Sequence, residues 1–184
     1  SATINRMITK KKSDTNTSNR YERIMDQIVE RSYQIYRDLV FGNEHFYYTS
    51  LIMNCYYDCE YCYLSGMYPS ANIVIFVNIE DIFAELDELL KKHSVYICIS
   101  YDTDLLALEG FTGFVKEFIE YTSKHETLTV ECRTKSANIG IIKKYIDEGL
   151  NIPENFIFAW TLSPSEIIDK YEHKTPFSHF LYVK

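Results

Sequence analysis

Three cysteines, Cys55, Cys59 and Cys62, share one short run, Asn54-Cys55-Tyr56-Tyr57-Asp58-Cys59-Glu60-Tyr61-Cys62-Tyr63. Their spacing is C-x3-C-x2-C, so three thiols can converge from a single turn. Iron–sulfur clusters are held by cysteine thiolates, and four of them complete a purely structural or electron-transfer site. Three leave one iron of a [4Fe–4S] cubane without a protein ligand, open to a substrate or cofactor. Aromatic residues flank the last cysteine, Tyr61 before it and Tyr63 after it. Two other chemistries compete. A structural zinc takes four Cys or His ligands, and His45 is the residue that would complete such a set. A disulfide needs an oxidising compartment, and nothing in the chain reads as secreted.

The same spacing is used by radical S-adenosylmethionine enzymes, in which the open iron chelates the cofactor's amino and carboxylate groups. The rest of the chain has to position such a site. At 184 residues it is long enough for one domain with a sizeable core. A hydrophobic fraction of 46%, with 16 Tyr and 11 Phe, argues for a folded protein. Lys and Arg number 19 against 26 Asp and Glu, a net charge of −7 that excludes a broad basic face for nucleic acid, though not a local groove. Five cysteines grouped three, one and one fit metal chemistry in a reducing compartment. No apolar run is long enough to span a membrane, so the expectation is a soluble, cytoplasmic protein with no membrane partner.

Residues 1–17 read as a polar, disordered tail, and residues 18–184 as one domain. A helix is predicted over 18–40, where Tyr21, Ile24, Met25, Ile28, Ile35, Tyr36 and Leu39 make an amphipathic stripe. Residues 46–52 read as a strand feeding directly into the cysteine loop, 54–63, with a short helix over 60–66. Alternating units follow: strands over 73–77, 95–101, 127–133 and 156–161, and helices over 78–91, 111–123 and 136–147. Asn78 is the expected cap of the first of these helices. A last helix is opened by Ser163-Pro164-Ser165-Glu166, which has the pattern of a capping box. Strand–helix alternation of this kind means an α/β fold with a parallel sheet, and parallel sheets carry reactive groups at the carboxyl ends of their strands.

Those strand ends hold Ser100-Tyr101-Asp102-Thr103-Asp104, Arg133-Thr134-Lys135-Ser136 and Thr161-Leu162-Ser163. A nucleoside-bearing cofactor needs partners for ribose hydroxyls and a cation for a carboxylate, and Asp, Thr, Ser and Lys supply them. In the third βα strand Glu131, Arg133 and Lys135 share one face while Leu128, Val130 and Cys132 share the other. Lys135 is read as functional; Ser136 and Ser163 are read as helix caps. Cys132 is read as a small core residue. Cys98, nearer the mouth, is a candidate redox or hydrogen-atom partner if its thiol is accessible. His45, His93, His125 and His179 read as surface residues.

Cys59-Glu60-Tyr61-Cys62-Tyr63-Leu64 and Ile75-Phe76-Val77-Asn78-Ile79-Glu80-Asp81-Ile82 resemble the spore photoproduct lyase family. So do Ser100-Tyr101-Asp102-Thr103-Asp104, Arg133-Thr134-Lys135 and Tyr171-Glu172-His173-Lys174-Thr175-Pro176. The resemblance spans roughly residues 46–176. It implies a partial (βα)-barrel of the radical S-adenosylmethionine type, with Cys55, Cys59 and Cys62 on a [4Fe–4S] cluster and Thr103, Lys135 and Thr161 at the cofactor. It implies cleavage of S-adenosylmethionine to a 5′-deoxyadenosyl radical that reverses a thymine photoproduct in DNA, with an electron donor of the flavodoxin or ferredoxin type. Tyr61 and Tyr63 stand where family tyrosines relay a hydrogen atom. Tyr101 stands where the family has the cysteine that returns it. The family's barrel continues past this point, so a truncated barrel is expected, its open edge covered by a partner or a further segment. The alternatives are a radical enzyme of the same fold on a non-DNA substrate, and a non-catalytic iron–sulfur or zinc-binding remnant.

Overall fold

The structure, a computed structural model, describes residues 45–174. The expected tail 1–17 and helix 18–40 lie outside the described residues, as does His179. Four strands form an all-parallel sheet in the order β1-β4-β5-β6: β1 (Phe46–Tyr48), β4 (Val95–Cys98), β5 (Leu128–Thr134) and β6 (Phe156–Trp160). Two further strands, β2 (Ile52–Met53) and β3 (Val74–Ile75), pair antiparallel in a small separate sheet. The helices are α1 (Leu64–Met67), α2 (Ile79–Leu90), α3 (Leu105–Thr112), α4 (Phe114–Thr122), α5 (Ile139–Asp147) and α6 (Ser165–Tyr171). The α/β class is as expected, but the run 46–52 is not one strand. After β1 the chain leaves the sheet: Ser50 makes a single antiparallel bridge to Ser100, and Leu51 O accepts from Phe76 N at 3.0 Å.

The core lies between the sheet and its helices. Leu128, Val130 and Cys132 are fully buried there, joined by Val95 and Ile97 of the neighbouring strand and Ile99 just beyond it. The alternation read for β5 holds. From α2, Ile79, Ile82 and Leu86 are buried, and Phe83 stacks on Tyr121 of α4 with ring centroids 4.2 Å apart. On the sheet's opposite face Phe46, Tyr48 and Cys98 form a smaller cluster against Tyr96 and Tyr101. Glu131 shares that face and binds both Tyr96 Oη and Arg133 Nε.

Helix α3 was not expected. Its two-leucine start, buried Glu109 and 81% exposed Phe111 break the apolar period. The helix is set instead by its ends. The Asp104 carboxylate caps it by accepting from Ala107 N at 3.1 Å, and Gly113, at φ +71°, ends it and starts α4. Two expected caps take other forms. Asn78 makes no side-chain cap; its carbonyl accepts from Asp81 N at 3.1 Å, and its amide donates to the Asp81 carboxylate. The capping box at 163–166 does not form either, because Pro164 takes the N-cap position of α6. Among the described residues no helix is long and apolar enough to cross a membrane.

Candidate functional site

The cysteine loop is launched by Asn54, which has φ +64° and is the one non-glycine residue with positive φ among those described. Asparagine tolerates the left-handed region better than most residues, and here its side chain also ties down the far arm of the loop. Its Nδ2 donates to Ser70 O at 2.8 Å and to Asn72 O at 2.6 Å. The loop then turns on itself, with Cys62 N donating to Cys59 O at 2.9 Å. Its far side is pinned 113 residues downstream. Cys59 and Glu172 form an isolated bridge, Glu60 N donates to Tyr171 O at 3.0 Å, and His173 Nε2 meets Glu60 Oε1 at 2.7 Å.

All three cysteines line one cleft of about 150 Å³. Its opposite wall comes from the carboxyl ends of β4, β5 and β6: Ser100, Thr103, Asp104, Arg133, Lys135 and Thr161. A second opening of about 330 Å³, on the α1 side of the loop, also reaches Cys55 and Cys62. Burial pushes the Cys55 and Cys59 thiols up to about 11. Among the described residues no group of three or more His, Cys, Asp or Glu is disposed as a ready single-ion site.

Every cofactor residue expected from sequence lies on this cleft. Thr103 is buried at 7% exposure, and its Oγ1 has no partner among the described residues. A buried hydroxyl left unpaired is costly, so this atom fits a ligand partner. Lys135 is placed by its own backbone, its N–H donating to Asp104 Oδ2 at 2.6 Å, while the same carboxylate accepts from Thr134 Oγ1 at 2.7 Å. Its ammonium bonds Ser163 Oγ at 3.0 Å and Glu172 Oε1 at 2.9 Å, and lies 5.9 Å over the Tyr61 ring. Burial pulls against that charge, but Glu172 and Tyr61 outweigh it and hold the ammonium above its ordinary range. Burial likewise opposes the charge on Glu172, yet bonds from Lys135, Ser163 and Tyr61 prevail and bring the carboxyl down to about 2.

Ser163 is therefore part of the site rather than a helix cap. Ser136 makes a local turn, its Oγ accepting from Asn138 N at 3.1 Å ahead of α5, and its side chain also bonds the Tyr57 phenol of the cysteine loop. Glu172 was missed as a site residue. The signal for it was its place in the run 171–176, but no single-residue property marked it.

The hydrogen-transfer candidates divide into two places. Tyr61 joins the Glu172 group. Tyr63 donates to Tyr101 O at 3.2 Å, with rings 6.3 Å apart, and Tyr101 in turn lies 4.4 Å from the Tyr48 ring. Burial raises the Tyr63 phenol far above its ordinary value. Cys98 sits behind this row with no exposed surface. The accessibility that a redox or hydrogen-atom role requires of Cys98 is not what the fold provides. His45 is not a fourth ligand. It stacks on His93 with centroids 3.7 Å apart, at the amino ends of β1 and β4 and on the opposite edge of the sheet from the cysteines. His93 and His125, also expected at the surface, are partly buried and paired: His93 binds Tyr47 Oη at 3.1 Å, and His125 Nε2 meets Asp87 at 3.4 Å.

Residues 42–179 match the family described as spore photoproduct lyase. The chain is similar to the spore photoproduct lyase of Clostridium acetobutylicum, 28% identical over 137 residues, covering 70% of this chain and 38% of that protein. Among solved structures it is similar to a cysteine-to-serine variant of spore photoproduct lyase, with a TM-score of 0.64 and 19% identity over 79% of this chain and 42% of the other. A double variant of that enzyme with bound AdoMet and dinucleoside spore photoproduct gives a TM-score of 0.60 at 21% identity, over 78% of this chain and 42% of the other. The chain thus spans about two fifths of the length of these relatives.

Proposed function

The chain belongs to the spore photoproduct lyase family, and on that premise we propose that it is a radical S-adenosylmethionine iron–sulfur protein directed at a thymine photoproduct in DNA. The observation that carries this reading is a single cleft in which three cysteines face an unpartnered buried hydroxyl and a braced ammonium. Cys55, Cys59 and Cys62 would hold a [4Fe–4S] cluster, leaving one iron to the cofactor. Such a cluster would supply the single electron that reductive cleavage of S-adenosylmethionine requires.

The remaining roles belong to the chain's own groups. The raised thiols keep their protons until metal displaces them, so loading releases protons and is favoured at higher pH. Lys135 offers charge to the cofactor's carboxylate, and Thr103 and Thr161 offer hydroxyls to its polar edge. Tyr63 and Tyr101 stand in contact where a hydrogen atom would be relayed back to product, with Tyr61 on the opposite flank and Cys98 behind them. The sheet is read as part of a (βα)-barrel. A thymine lesion in duplex DNA would have to leave the stack to present its bases to this cleft. The electron donor is of the flavodoxin or ferredoxin type, and the compartment is a reducing cytoplasm.

Tyr101 supports a second reading, a radical enzyme of the same architecture acting on another substrate. A phenol holds its hydrogen differently from the thiol that the family places there. Anaerobic reconstitution with iron and sulfide, followed by reductant, S-adenosylmethionine and a photoproduct-bearing oligonucleotide, separates the two. Release of 5′-deoxyadenosine with recovery of thymine supports repair. Release without thymine supports the second reading, and a preparation that takes up no cluster defeats both.

A further inference from the structure

We propose that Glu172 is a positioning residue for the cofactor end of the cleft, fixing where the Lys135 ammonium stands relative to the cysteine loop. This rests on the assignment of Lys135 to the cofactor. Three donors end on one carboxylate oxygen: Tyr61 Oη, Lys135 Nζ at 2.9 Å and Ser163 Oγ at 2.6 Å all bond Glu172 Oε1. The Glu172 side chain is 1% exposed and that of Lys135 16%. A carboxylate so deep persists only where partners offset its lost hydration. Ser163 braces the cation a second time, accepting from Lys135 Nζ at 3.0 Å while donating to Glu172.

The backbone of Glu172 is also paired with Cys59. The ammonium is therefore referenced to a cluster ligand as well as to the end of β5. A free lysine has four rotatable bonds to freeze when it captures an anion. Here most of that ordering is complete before any ligand arrives, which strengthens binding without adding a contact. Glu172 acts through Lys135 and Tyr61 and touches no reacting atom.

The test uses the whole chain, reconstituted anaerobically, with iron content, melting temperature and calorimetric affinity for S-adenosylmethionine as readouts. Glu172→Gln, Lys135→Ala and the double variant are compared with the unsubstituted protein. The expected result for Glu172→Gln is unchanged iron and affinity weakened about tenfold, in line with losing a hydrogen bond to a charged group. In the Lys135→Ala background the same change should cost nothing further. Unchanged affinity at full iron overturns the proposal, as does a loss that adds in full to that of Lys135→Ala. If Glu172→Gln does not fold, Ser163→Ala replaces it; it should weaken binding by a smaller factor, and no weakening overturns the proposal. Absence of iron in the unsubstituted protein would sink the functional reading and this proposal together, whereas the other outcomes sink the proposal alone.

Discussion

Cys55 and Cys59 are buried enough that, alone, they stay protonated at neutral pH. Their value lies in what displaces the proton. Replacing the half-exposed Cys62 by Ala should drop reconstituted iron to background while the far-ultraviolet circular dichroism stays that of the parent. Retained iron would mean that another group fills the position. At this scale the sequence was most readable where a residue type has one strong use. Cysteines at fixed spacing, and a lysine on the polar face of an alternating strand, led to the cleft. It was least readable where a role depends on distant neighbours. Ser163 looked like a cap because serine usually is one, and only the approach of Lys135 and Glu172 gives it another task. Cys98 was a candidate only if its thiol was accessible, and Phe46, Tyr48 and Tyr101 pack around it.

Between β4 and β5 buried carboxylates fix the helix starts, beside the apolar face that α4 packs into the core through Phe114, Val115, Phe118 and Ile119. Asp104 accepts from Ala107 N, Thr134 Oγ1 and Lys135 N, so it starts α3 and fixes the end of β5 together. Asp104→Ala leaves those donors without that acceptor and should cost about 2–4 kcal/mol in chemical denaturation. Glu109 plays the matching part at the start of α4, accepting from Val115 N at 2.8 Å and Lys116 N at 3.0 Å. Burial raises the Glu109 pKa above its ordinary 4.5 in spite of those bonds. The folded state therefore holds the proton more tightly than the unfolded one, and this contribution is full below about pH 4.5 and lost as pH rises through the raised value. Melting temperature compared with Glu109→Gln should shift against the parent as pH climbs from about 4.5; a constant difference would contradict it. Gly113 has φ +71° and open space where a Cβ would stand, so Gly113→Ala should cost about 1 kcal/mol from backbone strain alone. Gly66→Ala in α1, equally uncrowded and without that φ, should cost nothing. These devices explain why α3 was not foreseen: its buried acid and exposed phenylalanine defeat a periodicity search.

The order of strands and helices was legible because β-branched runs and amphipathic helices recur at regular intervals. The sheet order β1-β4-β5-β6 was not, since nothing local says that β2 and β3 leave to make their own pair. Among the described strands β6 has one neighbour only, and around it Ile157, Trp160 and Leu162 are 38%, 39% and 70% exposed. An apolar strand edge of this kind invites self-association. Ile157→Lys should raise the concentration at which the chain stays monomeric in sedimentation, leaving iron content unchanged; an unaltered sedimentation profile would show that this edge is already covered.

The pairing of Cys59 with Glu172 has a bearing on biosynthesis. A ribosome completes the cysteine turn long before it makes the stretch against which that turn closes, with 113 positions separating Glu60 from His173. Until residue 172 is made the three cysteines stand without that brace, and Lys135, once made, lacks its counter-charge. On the proposed function, assembly of a cluster would follow synthesis of residue 172, when both ends of the bridge exist.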